Sequence, residues 1–132
     1  MAGYSGTPLN AKLGIKPGAR IQIVDPPTDF WRLLGVLPDG LTQVSRGEFD
    51  FGMLFVSKGA DLRKRFPVLR ERLSSAGMLW IAWPKKSAGV ATDLTENLVR
   101  ETGLDAGLVD VKVCAVDATW SGLKFVRRLR DR

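Results

Sequence analysis

Histidine is absent from this 132-residue chain, and cysteine occurs once, at Cys114. Without imidazole there is no Ser-His or Cys-His pair, no histidine-ligated zinc, and no side chain whose ordinary pKa makes it a base near neutrality. Catalysis is left to carboxylates, lysine, tyrosine or backbone, so hydrolase readings lose most of their weight. A lone cysteine can make neither an internal disulfide nor, by itself, a thiolate metal site, which suits a reducing, cytoplasmic setting. No apolar run approaches the roughly 20 residues that span a bilayer. The opening Met1-Ala2-Gly3-Tyr4-Ser5-Gly6 lacks the basic flank and apolar stretch of a secretory signal, so the chain is expected to stay where it is made. Internal repeats and low-complexity tracts are missing too.

What is present is the composition of a globular protein, 45% apolar and 26% charged. The length suits one domain over 1–132, with 1–18 as an N-terminal helical arm. The net charge of +6 is an argument about association rather than fold. It gathers at Arg63, Lys64, Arg65, Arg70 and Arg72, and again at Arg127, Arg128, Arg130 and Arg132. These clusters read as solvated faces and a frayed end in preference to a nucleic-acid surface.

Punctuation and periodicity divide the chain into alternating elements. Thr7 as N-cap, Pro8 at the first helical position and Gly14 beyond the end predict a short helix packing Leu9 and Leu13. Residues 19–24 form a compact apolar run, a buried strand ended by Pro26 and Pro27. Thr28 is expected to cap a helix through Phe30, Trp31, Leu33 and Leu34 that Gly35 stops. A weaker strand at 41–45 precedes the most apolar one, 49–57, whose continuous hydrophobicity suits a central position. Leu62, Phe66, Leu69 and Leu73 recur at helical spacing within 60–76, and Pro67 predicts a kink or break there. Residues 78–83 make the next strand. Asp93-Leu94-Thr95-Glu96 reads as a capping box with Asp93 at the N-cap, opening a helix that Gly103 ends. Strands at 109–116 and 123–128, joined by Asp117-Ala118-Thr119-Trp120-Ser121-Gly122, must be antiparallel because the connection is short. The fold class is α/β: a Rossmann-like three-layer sandwich with a mostly parallel sheet of five or six strands and a C-terminal antiparallel hairpin.

Two resemblances rest on particular phrases. Gly14-Ile15-Lys16-Pro17-Gly18-Ala19-Arg20-Ile21, Ser75-Ala76-Gly77-Met78-Leu79-Trp80-Ile81 and the terminal hairpin resemble, in their order, a pared-down S-adenosylmethionine-dependent methyltransferase domain. That family sets a glycine-rich loop against the cofactor and an acidic residue after the second strand against its ribose. Here the loop is Asp25-Pro26-Pro27-Thr28 and the second strand runs into Ser45-Arg46, so no cofactor residue carries over and no cofactor is assigned. The phrases Tyr4-Ser5-Gly6-Thr7-Pro8-Leu9, Leu79-Trp80-Ile81-Ala82-Trp83-Pro84-Lys85 and Asp117-Ala118-Thr119-Trp120-Ser121-Gly122-Leu123-Lys124-Phe125 resemble a family of short bacterial proteins to which no activity is assigned.

Ligands of open α/β sheets bind beyond the carboxyl ends of the strands, and a helix N-terminus favours anions. This rule nominates Lys85, Lys86, Ser87 and Thr92, ahead of the helix at Asp93, as an anion site, with Asp25, Thr28, Ser57 and Lys58 on the same rim. Each has a plainer alternative: solvated lysines, and an Asp25 bonding the backbone of a proline-stiffened turn. Asp117, Thr119, Trp120 and Ser121 form a candidate recognition loop, or a tryptophan folded over the core with polar neighbours bonding the turn. Trp31, Trp80 and Trp83 are expected in the core or on the sheet faces, and Cys114 as an inert buried thiol. No catalytic residue and no metal ligand is singled out. The reading is a non-catalytic module binding a protein partner or a small anionic ligand. Its alternatives are a reduced methyltransferase-like enzyme with an altered cofactor loop, and a weak nucleic-acid binder through the arginines.

Overall fold

A computed structural model describes residues 7–132; the Tyr4-Ser5-Gly6 part of the opening phrase lies outside the described residues. Six strands, β1 (Arg20–Val24), β2 (Thr42–Gln43), β3 (Phe49–Phe55), β4 (Leu73–Pro84), β5 (Leu108–Ala115) and β6 (Trp120–Arg127), form one sheet in the order β2-β1-β3-β4-β6-β5. The first four pair in parallel, and β6 runs antiparallel between β4 and β5. Two short helices, α1 (Leu9–Leu13) and α2 (Phe30–Leu34), contribute to one core; α3 (Gly59–Arg72) and α4 (Glu96–Asp105) contribute to the other. This is the Rossmann-like α/β arrangement expected from the alternation of elements, including the antiparallel hairpin.

Why β3 and β4 hold the centre is visible in their composition. Phe51, Met53 and Phe55 pack toward α1 and α2, whereas Phe49, Leu54 and Val56 join the α3–α4 core. On β4, Trp80 and Ala82 serve the first core, and Leu79, Ile81 and Trp83 the second. Side chains of successive strand residues point to opposite faces, so a strand covered on both sides reads as continuously apolar.

Several boundaries differ from the sequence reading, each for a tertiary reason. The helix beginning at Gly59 stops at Arg72 rather than near residue 76, because Leu73 pairs with Phe49 and Ser74 donates to the Asp50 carboxylate at 2.8 Å. Gly77 lies inside β4 instead of ending a helix; a Cβ there would sit 2.9 Å from the Asp50 carbonyl oxygen. Pro67 produces no break: α3 runs through it, anchored by Leu62, Phe66 and Leu69. Gly103 is not a stop signal either. α4 continues to Asp105, and Gly103 is where that helix touches the sheet, since a Cβ would lie 2.0 Å from the Phe125 ring. α1 starts one residue late, with extended Pro8 at its cap, and ends at left-handed Gly14 as expected. Arg127 is no part of a frayed end. Its guanidinium donates to the Leu73 carbonyl at 2.7 Å and the Arg70 carbonyl at 2.9 Å, satisfying acceptors at the end of α3.

Candidate functional site

Because β1, β3 and β4 run parallel, their carboxyl ends bring Asp25, Ser57 and Lys85 to one rim, and antiparallel β6 begins there with Trp120. The loops are tied together by polar contacts. Thr92 Oγ1 donates to the Ser57 carbonyl at 2.6 Å and accepts from Leu94 N at 3.0 Å. Lys85 N donates to the Thr119 carbonyl at 2.7 Å, and Asp117 Oδ1 accepts from Thr119 N and Trp120 N at 2.8 and 2.7 Å. The two groups of candidates, the anion loop and the hairpin loop, therefore share one edge. Trp120 and Ser121 are the first residues of β6, opposite Pro84 and Trp83, rather than part of the turn.

The helix ends are arranged differently from the expectation. Thr95, not Asp93, caps α4: its Oγ1 accepts from Leu98 N at 3.2 Å. Asp93 turns away and its Oδ1 accepts from Gly59 N at 2.8 Å, so it supplies a carboxylate to the start of α3. The position where an exogenous anion would gain most from free N–H groups is thus taken by the chain's own charge. Beside it lies an open cleft of about 360 Å³ lined by Trp83, Lys86, Thr92, Asp93, Leu94, Thr95 and Glu96. One lysine facing two carboxylates makes a mixed lining. Ser87 sits exposed in the 3-10 turn Lys86–Ala88, and Lys58, also exposed, is the extended residue before α3.

The β1 loop is the most unusual stretch of backbone. Asp25 has φ 54°, the only non-glycine residue with positive φ among those described. Its carboxylate is engaged by Arg65 of α3, so the expectation that it bonds the turn backbone is replaced by an ion pair across the rim. Thr28 does not cap α2; Asp29 holds the N-cap position without a side-chain hydrogen bond.

Sequence reading missed what lies under this rim. Trp31 meets Phe30 edge-on at 6.4 Å between ring centroids, Phe30 meets Phe55 at 4.9 Å, and Phe55 meets Trp120 at 5.1 Å. Phe30 and Phe55 are buried, Trp31 and Trp120 half-buried. The rings form a row from the helix after β1 to the start of β6, with both outer members reaching the surface. Their spacing in the chain carries no signal, because three elements far apart in sequence contribute them, α2 two adjacent rings and β3 and β6 one each.

As a holder of a nucleoside cofactor the edge fits in part. Left-handed Asp25 supplies the turn that glycine normally allows. Pro26 and Pro27 offer no N–H, and β2 is followed by Val44-Ser45-Arg46 with no carboxylate for a ribose. Among the described residues no group of three or more His, Cys, Asp or Glu side chains is placed to hold a metal ion, and no helix is long and apolar enough to cross a membrane. Cys114 is buried in the α1–α2 core.

The class defined by this topology is recognisable among solved structures. The magnesium protoporphyrin IX methyltransferase from Synechocystis PCC 6803 with bound SAM matches at TM-score 0.62 and 12% identity, covering 91% of this chain and 74% of that one. A ribosomal protein methylase from Lactobacillus delbrueckii subsp. bulgaricus matches at 0.59 and 12%, over 91% and 75%. A protein described as a possible exported protein from Bordetella parapertussis matches at 0.65 and 12%, over 90% and 65%. The chain therefore has a methyltransferase-like Rossmann fold, and likeness at this identity establishes the fold alone. No family profile matches the chain, and no curated protein matches it, so the resemblance to short bacterial proteins gains no family assignment.

Proposed function

We propose that the chain binds an S-adenosyl compound at the carboxyl edge of β1 and β3, as a pared-down methyltransferase-type domain with a cofactor loop of its own kind. The observation that carries this is Asp25: a non-glycine residue held at φ 54° at the end of β1, where the strand order turns from β2 on one side to β3 on the other. A left-handed L-residue costs on the order of 1 kcal/mol, and such strain collects at functional sites. Ligands of open α/β sheets bind at this kind of switch point. The half-buried rings of Trp31 and Trp120 offer an adenine a stacking surface, in place of the missing glycine loop. The methyltransferases among the structurally similar proteins support the same choice of ligand.

Thermal denaturation with S-adenosylmethionine, S-adenosylhomocysteine and adenosine tests the reading. A specific ligand at a hundred times its dissociation constant adds about 2.7 kcal/mol of stability. Trp120→Ala and Asp25→Ala should each remove that gain. No shift with any of the three compounds would reject the proposal.

A second reading, a binding module for a small anion or a protein, rests on the cleft beside Lys86 and Thr92. It expects inorganic phosphate to stabilise the protein and Lys85→Ala with Lys86→Ala to abolish the effect. Against it stands Asp93 at the start of α3.

A further inference from the structure

On the face of the sheet opposite α1 and α2, coverage is incomplete. α3 and α4 lie over the β3 to β5 side, and the flank of β1 next to α3 is open. Parallel strands are found almost only in sheets covered on both faces, because their crossover connections lay helices there and their side chains are apolar on both sides. Here the uncovered strip forms a groove of about 290 Å³ between β1 and α3, lined by Gln22, Val24, Lys64, Arg65, Val68, Leu69 and Arg72. Its floor is apolar. Val68 stands 61% exposed in the middle of α3, while Leu69 beside it is buried.

The rim has one sign of charge. Lys64 and Arg65 lie on one turn and Arg72 two turns on; Arg72 is spent on neutral acceptors, the Gln22 side chain and the Gly47 carbonyl, and stacks over Phe49. Only Arg65 has a carboxylate partner, Asp25. From Lys64 to Arg72 the helix advances about 12 Å, some two turns of a helix lying alongside it.

We propose that this groove is a docking site for an acidic amphipathic α-helix of a partner protein, whose apolar stripe covers Val24 and Val68 and whose carboxylates meet Lys64, Arg65 and Arg72. The apolar floor favours a helix over a nucleic acid, which would need only the cations. The basic rim disfavours a second copy of a chain whose net charge is +6. Residues 1–6 contain no carboxylate and do not match the rim. The site touches the carboxyl-edge proposal only through the Asp25–Arg65 ion pair, and Val68 and Trp120 belong to one site each, so the two proposals can fail separately.

The probe is a fluorescein-labelled synthetic peptide with leucines at helical spacing and glutamates on its flanks, followed by anisotropy. Its counterpart carries lysine in place of each glutamate. The glutamate peptide should bind at least about tenfold more tightly than the lysine peptide, a difference of 1.4 kcal/mol. Val68→Glu, an exposed position whose variant should keep its melting temperature, should cost about tenfold, and Trp120→Ala should cost nothing. Absence of binding, equal binding of the two peptides, or indifference to Val68→Glu overturns the proposal. So does full competition by a single-stranded oligonucleotide on the Val68→Glu variant, which would mark a charge-only surface. Sedimentation showing a concentration-dependent dimer that excludes the peptide would give the groove to a second copy and overturn it as well.

Discussion

The first third of the chain and the rest solve the same packing problem with different means. From β3 onward the strands and α-helices are long, seven to fourteen residues, and bury themselves through apolar faces. Before β3, α1 and α2 have five residues each and β2 has two, too short to be held by their own helical or strand propensity. They bury Leu13, Phe30 and Leu34 completely, and polar attachments add to that packing. Asn10 donates to the Leu34 and Val36 carbonyls at 2.6 and 3.0 Å, Trp80 Nε1 donates to the Leu13 carbonyl at 2.9 Å, and Arg20 is bound by Asp50. Packing holds both regions, and in the one with short elements a few directed bonds also fix their place.

The largest test strikes the residue shared by both. Trp80 is fully buried in β4 and carries the bond to α1. Trp80→Ala should cost about 4 kcal/mol in chemical denaturation, typical for deletion of a buried aromatic. Trp80→Phe should cost less, and hydrogen exchange should localise the loss to α1. If the phenylalanine variant loosens β4 and leaves α1 protected, the two regions are not joined through that bond.

Within the long-element region the sharpest test is Gly103→Ala. Its new methyl would meet the ring of Phe125 on β6, which is fully buried and packs edge-on against Phe66 of α3. Overpacking of this kind costs about 3 kcal/mol. A gain in stability, as expected for glycine to alanine in an unconstrained helix, would show that α4 does not touch the sheet there.

In the short-element region Asn10→Ala leaves two carbonyls without their donor and should cost about 2 kcal/mol. The change should fall on α1 and α2 while β4 keeps its exchange protection.

These cases show what sequence could and could not reveal. Alternation of strands and helices was legible because long apolar periods survive any tertiary context. So were Gly14 and Gly35 as helix ends, where positive φ is a local demand. Gly103 and Gly77 carried the same letter for another reason, close approach of a partner far away in the chain, and no local signal separates the two uses. The carboxyl-edge rim followed from parallel topology, but its content did not. The aromatic row, the Asp25–Arg65 pair and the open groove each join residues from separate elements.

The attachment through Asp50 adds a pH dependence. Its carboxylate accepts from Arg20 Nε and Nη2, from Arg20 N, and from the Ser74 hydroxyl. The Arg20 side chain above all holds it well below the usual carboxylate range. A depressed folded pKa adds stability that is present above the unfolded value near 4 and is lost as pH falls toward the folded one. Asp50→Asn should cost about 1.5 kcal/mol at pH 7. The gap between variant and parent should narrow steadily below pH 4, and a constant gap would deny the bond its ionic character.

The smallest effect decides between two readings of Asp93-Leu94-Thr95-Glu96. Either Asp93 or Thr95 could cap α4 by composition, but only Asp93 has a carboxylate three positions on, at Glu96, to complete the pattern; Leu98 stands three after Thr95. In the folded chain Thr95 receives Leu98 N, while Asp93 reaches across to Gly59 N at the start of α3. Thr95→Ala should therefore cost about 1 kcal/mol and speed amide exchange at Leu98. Asp93→Ala should cost a similar amount but expose the Gly59 amide, thirty-four residues earlier. Should Asp93→Ala instead fray α4 and spare Gly59, the start of α3 would be free to accept an outside anion, and the rim beside Lys86 would regain its claim as a binding site.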